Sequence, residues 1–133
     1  MATRVVERAE RAPIALDPAV ERQVLGLLGL GARARNVVVG VDRVRDAVRR
    51  NKVILAIVAP DASRHSREKV LPLLQARRVR TVEGSTADAL GGAVGKASTA
   101  VVGITDASLA AGVRRLVDPT ARAGRTPGPR RTR

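Results

Sequence analysis

The segment from residue 37 to residue 59 constrains the fold more than any other part of the chain. Three valines, Val37–Val39, are followed by Gly40 and then by a stretch rich in arginine and aspartate that ends at Lys52. An uninterrupted apolar run, Val53–Ala59, comes directly afterwards. Because an unpartnered guanidinium group is costly to desolvate, the charged stretch must keep one face in solvent. The segment therefore predicts a short strand, a glycine turn, an exposed basic helix and a buried strand.

Helix and strand patterns continue to alternate on both sides of this segment. A helical apolar repeat starts at Pro18, behind the N-cap candidate Asp17. The basic helix is expected to be capped by Asp42 and to bury Val44, Ala47 and Val48. Further helices are predicted at 63–77, 85–95 and 107–116, and further strands at 78–82 and 99–104. The order α-β-α-β-α-β-α-β-α predicts a three-layer α/β/α sandwich around a small four-stranded mixed sheet.

Composition divides the 133 residues into three parts. Residues 1–17 mix both charges with proline and predict a flexible lead-in. Residues 18–118 form the predicted domain, with 17 basic and 9 acidic side chains. Residues 119–133 hold five arginines, no acid and many prolines and glycines, which predicts a disordered basic tail.

The formal net charge of +13 predicts a polyanionic partner whose binding is sensitive to salt. A GC-rich genome could also enrich arginine, but that bias replaces lysine without removing acids. The absence of Phe, Tyr and Trp excludes aromatic stacking on bases. With no cysteine, one histidine and no apolar run near 18 residues, the sequence predicts no metal, cofactor, signal peptide or membrane span. We therefore expect a cytoplasmic protein.

Three short patterns superficially suggest catalysis or nucleotide binding. Gly26–Gly31 lies inside a helical pattern and follows no strand, so it is not a dinucleotide loop. Gly91–Lys96 lacks the first glycine and the final Ser/Thr of a phosphate loop, and Gly95 is better interpreted as a helix C-terminal cap. Asp61, Ser63 and His65 are too close in sequence to align as a triad. The sequence therefore predicts no enzyme.

Three longer patterns coincide in order and spacing. They are Leu27-Leu-Gly-Leu-Gly-Ala-Arg-Ala34 before Val38-Val-Gly40, Leu55-Ala-Ile-Val-Ala-Pro-Asp-Ala-Ser63, and Leu90-Gly-Gly-Ala-Val-Gly-Lys96 before Ala100-Val-Val-Gly-Ile-Thr-Asp106. Together they resemble the ribosomal L-seven-Ae/L-thirty-e superfamily, in particular its bacterial YlxQ-like branch, over about residues 20–112. The resemblance implies an α/β/α sandwich and, in many members, binding of kink-turn RNA, an internal loop with tandem sheared G·A pairs.

The family motif Gly-x-Asn-Glu-x-x-Lys maps onto Gly40–Asp46. Glycine is kept and Asp42 stands where Asn is usual, whereas Arg43 replaces the acid and Asp46 replaces the lysine. At 35–36, Arg-Asn replaces the common Gly-Lys, and Asn36 is expected to take the left-handed turn conformation. The implied RNA-binding residues are Arg35, Asn36, Gly40, Val41, Asp42, Arg43, Arg45, Asp46, Arg49, Arg50, Lys52, Val82, Glu83, Gly84 and Ser85. Val82–Ser85 stands where relatives have the loop that covers a flipped-out nucleotide.

The resemblance implies a monomeric, non-catalytic protein that binds structured RNA, with ribosomal RNA and the ribosome as candidate partners. Arg43 and Asp46 lie three residues apart and can read base edges or form a surface ion pair. The alternatives are RNA or ribosome binding without kink-turn specificity, a protein-interaction module on the same fold, and an accessory domain of an RNA-modifying enzyme.

Overall fold

Helices and strands alternate along residues 16–118, the part of the chain that the computed structural model describes. Within this part the helices are α1 (Pro18–Arg33), α2 (Val41–Arg49), α3 (Arg64–Ala76), α4 (Ala87–Ala93) and α5 (Ala107–Val117). The strands are β1 (Val37–Val39), β2 (Leu55–Val58), β3 (Arg80–Glu83) and β4 (Val101–Ile104). The element order is the predicted one. Apart from Leu16 and Asp17, the predicted lead-in lies outside the described residues, as does the whole predicted tail.

The four strands form one mixed sheet in the order β1-β4-β2-β3. Strand β4 is antiparallel to both of its neighbours, and β2 is parallel to β3. The two central strands, β2 and β4, are buried at every residue. Their continuous apolar sequences are explained by helices on both faces of the sheet.

Alternate residues of the sheet contribute to two separate cores. Leu55 and Ile57 pack with helices α1, α4 and α5, whereas Ala56 and Val58 pack with α2 and α3. Successive side chains on a strand point to opposite faces, so one strand supplies both cores. The predicted three-layer α/β/α sandwich with a four-stranded mixed sheet is confirmed.

Side-chain caps fix the starts of four helices. Asp17, Ser63, Thr86 and Asp106 each accept a hydrogen bond from a backbone N–H in the first turn. The capping prediction for Asp42 was wrong, because α2 begins two residues earlier than an Asp42 cap would place it, with Gly40 as its N-cap and no side-chain bond. Asp42 therefore lies in the first turn, exposed to solvent.

Four helices end in the same backbone motif, with a left-handed residue two positions after the last helical residue. The left-handed residues are Arg35, Asn51, Arg78 and Gly95. At the end of α1, Asn36 N donates to Gly31 O at 2.7 Å and Arg35 N donates to Ala32 O at 3.1 Å, which is the Schellman pattern. The prediction that Asn36 is left-handed was wrong, because the place where α1 ends puts Arg35 at that position. Gly95 caps α4 as predicted.

Candidate functional site

The loops that follow β1, β2 and β3 lie at the same end of the sheet, because these three strands run in the same direction. Gly40 N donates to Val101 O at 3.1 Å, and Ala59 N donates to Ala100 O at 2.8 Å, which joins these loops to the start of β4. Three strand spacings of about 4.8 Å separate the two edge strands. The predicted segments 40–46 and 82–85 therefore flank this end of the sheet, roughly 14 Å apart.

Gly40 occupies a backbone conformation that only glycine adopts readily. Its φ of 101° and ψ of 154° lie in a region closed to residues with a Cβ. No atom lies within 4 Å of the place where a Cβ would be, so conformation rather than crowding requires glycine. The turn sets the angle at which α2 leaves β1 and keeps the backbone before α2 open to approach.

A shallow groove of about 390 Å³ runs along α2, between this helix and edge strand β1. It is lined by Val38, Asp42, Arg43, Asp46, Ala47, Arg50 and Lys52. Five of the predicted residues therefore share one surface, which combines two carboxylates with three cations. We call this surface the α2–β1 groove.

Within the groove, Asp46 pairs with Arg50 and not with Arg43. The Asp46 Oδ2 and Arg50 Nε atoms are 3.3 Å apart, and both side chains are about 60% exposed. An exposed i,i+4 ion pair contributes at most about 0.5 kcal/mol, so water or a ligand can readily replace either partner. Two roles were predicted for Arg43 and Asp46, base reading or an ion pair with each other. The ion pair between them does not form.

The predicted residues Arg45 and Arg49 do not line the groove. At 100° per residue, Arg45 lies roughly 160° around α2 from Arg43, whereas Arg49 lies only about 20° from Asp42, on the solvent-facing ridge of the helix. Arg49 is exposed, whereas Arg45 is half-buried and its Nε is buried without a hydrogen-bond partner. The structure thus separates the predicted cations of α2 into two groups.

The loop after β3 is anchored by buried side chains and by an ion pair. Val82 and Ser85 are buried, and the Ser85 hydroxyl has no hydrogen-bond partner. Glu83 receives both of its bonds from Arg67 Nη2, at 3.3 Å each, while Arg67 Nη1 donates to Ala59 O at 3.2 Å. Glu83 is therefore directed at α3 rather than at solvent.

Two predicted residues lie at the other end of β1. Arg35 is exposed there, and the Asn36 carbonyl accepts from the backbone N–H and the hydroxyl of Thr105, at 2.9 and 3.0 Å. The Arg35 cation is thus at the opposite end of the sheet from Gly40.

Arg67 was not among the residues predicted for this region. Arg67 and Glu83 are 16 positions apart, so no local spacing indicates their contact. By contrast, Asp61 and Ser63 have structural roles. Asp61 accepts from Ala87 N at 2.8 Å, and Ser63 caps α3.

The described part of the chain offers neither a metal site nor a membrane span. Residues 16–118 contain no group of three or more His, Asp or Glu side chains placed to hold an ion. None of the helices described is long and apolar enough to cross a bilayer.

The fold and the groove together define a class: α/β/α sandwich proteins in which a charged helix borders a sheet edge. Residues 22–112 match the model of the Ribosomal protein L7Ae/L30e/S12e/Gadd45 family. The chain belongs to this family. The match covers all nine described elements except the first turn of α1 and the last turn of α5.

Individual relatives agree with this assignment. The RNA-binding protein YlxQ of Bacillus subtilis (strain 168) is 34% identical over 92 residues, which are 69% of this chain and 92% of that protein. A protein of unknown function from Bacillus halodurans C has a similar structure, with a TM-score of 0.67 and 34% identity over 71% of this chain and 96% of its own. The Giardia lamblia 15.5kD RNA binding protein superimposes with a TM-score of 0.68 and 26% identity over 85% and 96% of the two chains.

Proposed function

We propose that this protein binds structured RNA of the kink-turn type without catalysing a reaction, and that the α2–β1 groove is its base-reading surface. Two relatives are named as RNA-binding proteins. The observation that carries the proposal is the convergence in one groove of carboxylates and arginines beside an open glycine turn. Such a surface offers both donors and acceptors to base edges.

Each charged group of the groove has a natural partner on RNA. A guanidinium such as that of Arg43 can donate to the O6 and N7 atoms of guanine, and a carboxylate can accept from cytosine N4 or from the N1 and N2 groups of guanine. Arg50 and Lys52, nearer the end of the groove, are placed to neutralise phosphates. Relative to the family motif the charges of Arg43 and Asp46 are exchanged, so the same two base positions can be read with donor and acceptor reversed.

When RNA binds, Asp46 and Arg50 can exchange their contact with each other for contacts with the RNA. In the protein alone, each group satisfies the other at 3.3 Å while remaining exposed. RNA can replace this pair by one contact from Asp46 to a base and one from Arg50 to a phosphate. Because the exposed pair contributes little, the exchange costs little.

The second contact region in the proposal is the segment Val82–Ser85, the last two residues of β3 and the start of the loop after it, at the same end of the sheet. Its buried side chains and the Arg67–Glu83 pair hold its backbone in place. With Gly84 half-buried beneath Leu16, the loop presents mainly backbone to a flipped-out nucleotide. This mode needs no aromatic stacking, in keeping with the absence of aromatic residues.

For the partner, we propose a structured RNA of the ribosome, bound by a cytoplasmic monomer that needs no cofactor. The excess of positive charge in residues 18–118 supports a polyanionic partner of this kind. The exposed side chains of α2 are charged rather than apolar, which disfavours a protein-interaction module on this helix.

The test compares Arg43→Ala with the intact protein on a kink-turn RNA and on a plain duplex of equal length. We expect the substitution to weaken kink-turn binding by about 1–3 kcal/mol, or roughly five- to 150-fold, and duplex binding far less. Arg22→Ala, an exposed arginine on α1 at the other face of the sheet, is the matched control. Affinities are measured at one stated salt concentration.

A second candidate is binding of structured RNA without kink-turn specificity. The exchange of charges at Arg43 and Asp46 relative to the family motif is the observation that favours it. If the intact protein binds the kink-turn and the duplex equally well, this candidate replaces the first one. Sequencing of RNA crosslinked to the protein in cells would then identify the target.

A further inference from the structure

The flank of α2 that faces α3 carries a second group of cations, separate from the α2–β1 groove. It consists of Arg45 and Arg49 from α2 and of Lys69 and Arg77 from the facing flank of α3 and its C-cap. We call these four residues the α2–α3 seam. Three of them are exposed, and Arg45 is half-buried.

Hydrogen bonds between the two helices establish which flanks face each other. Arg77 Nη1 donates to Asn51 Oδ1 at 2.9 Å and to the Arg49 carbonyl at 3.4 Å. On the other side of α3, Arg67 reaches the edge strand β3 through Glu83. Lys69 lies about 160° around α3 from Arg67, so it is on the flank of this helix away from β3.

No acidic side chain of these helices forms an ion pair within the seam. Asp42 and Asp46 precede Arg45 and Arg49 by three positions each, but both aspartates line the groove and Asp46 pairs with Arg50. Glu68 pairs with Arg64 at 2.9 Å, on the side of α3 that also carries Arg67. Among residues 16–118, no carboxylate pairs with any member of the seam. The Arg45 Nε, buried without a partner, adds an unsatisfied donor at the same place.

Four cations without acidic partners repel one another and attract a polyanion. We propose that the α2–α3 seam is a second RNA contact, which binds the phosphodiester backbone of a segment continuing beyond the RNA in the groove. A surface of cations without acceptors carries no sequence information, so it positions the RNA rather than reading it. Helix α2 would then lie between two RNA segments, reading bases with one flank and holding phosphates with the other.

This inference rests on RNA binding as part of the proposed function, but it does not require kink-turn specificity. The test variant is Arg49→Gln/Lys69→Gln in the full chain. Both side chains are exposed, and the bond from Arg77 is accepted by the Arg49 backbone carbonyl, so the fold should be retained. The matched control is Arg114→Gln/Arg115→Gln, two exposed arginines of α5 on the other face of the sheet.

The measurement is the dissociation constant as a function of salt, on a kink-turn RNA with extended stems and on a plain duplex. Each lost phosphate contact lowers the slope of log K against log salt by about 0.9, so the seam variant should lower it by about 2 on both RNAs. The α5 control should leave the slope unchanged. Equal slopes for the seam and control variants would overturn the inference.

Two further outcomes keep this inference distinct from the proposed function. If Arg43→Ala has no selective effect on the kink-turn while the seam variant lowers the slope, the base-reading proposal fails and the seam is supported. If the seam variant loses binding to poly-glutamate but keeps its RNA slope, the seam recognises an acidic polypeptide and the RNA assignment is overturned.

Discussion

Among residues 16–118, two arginines occupy backbone positions that usually favour glycine. Arg35 and Arg78 have φ values of 63° and 58°, and each follows the C-cap of a helix. The left-handed conformation costs a residue with a Cβ about 1–2 kcal/mol. This cost is offset because the left-handed turn supplies hydrogen bonds to two backbone carbonyls at the end of each helix.

Substitution of Arg78 by glycine is therefore expected to stabilise the protein. The gain from relieving the left-handed residue is reduced by the greater freedom of glycine in the unfolded chain, which leaves about 0.5–1 kcal/mol in the free energy of unfolding. Chemical denaturation measures this difference. Arg78→Ala is the control, since it removes the same exposed side chain but keeps the Cβ. Equal stabilities of the Gly and Ala variants would contradict the explanation.

At this scale, the sequence indicates residue preferences but not the exact places where elements end. Asn36 tolerates the left-handed conformation better than Arg35, yet α1 ends at Arg33 and makes Arg35 the left-handed residue. Asp42 has good capping chemistry but lies two residues after the actual N-cap. In both cases a shift of one or two residues in a helix end outweighed the local preference.

At the scale of elements, the Arg67–Glu83 pair is the polar link between α3 and the loop after β3. Its side chains are only 25% and 19% exposed, and Arg67 also bonds to the Ala59 carbonyl. The Arg64–Glu68 pair of the same helix has 90% and 64% exposed side chains. The chain thus offers two ion pairs of the same chemistry with very different solvent access.

A double-mutant cycle on each pair should measure this difference. With Arg67→Gln and Glu83→Gln, we expect a coupling of about 1–2 kcal/mol in the free energy of unfolding. With Arg64→Gln and Glu68→Gln, the coupling should be below about 0.5 kcal/mol. Similar coupling energies for the two pairs would show that burial does not strengthen the link to the loop.

The elements of the fold could be predicted from the sequence, but their contacts could not. Apolar runs and helical periodicity indicated every strand and helix between residues 18 and 117. Periodicity says nothing about which strands are neighbours, so the order β1-β4-β2-β3 came only from the structure. Likewise, the spacing of Arg43 and Asp46 indicated a shared helix surface, but not that Asp46 pairs with Arg50 instead.

For the whole molecule, the distribution of charge matters more than its total. Within residues 16–118, cations occupy both flanks of α2, while the acids of this helix lie only in the groove. Beyond Asp118 the chain adds five arginines and no acid. The arginines after Asp118 are thus separate in the sequence from the base-reading groups of the groove, and separate substitutions can test the two groups.

Truncation after Asp118 should weaken binding to a kink-turn RNA and to a plain duplex by the same factor. Five arginines without neighbouring acids contribute through release of counterions, which depends on phosphate charge and not on base sequence. The slope of log K against log salt should therefore fall by up to about 4–5 on both RNAs, and the ratio of the two affinities should not change. Arg43→Ala provides the contrast, since it should change that ratio with a smaller effect on the slope. A larger loss on the kink-turn than on the duplex after truncation would assign a share of specific recognition to residues 119–133, and the separation of base-reading from cationic groups would then not hold.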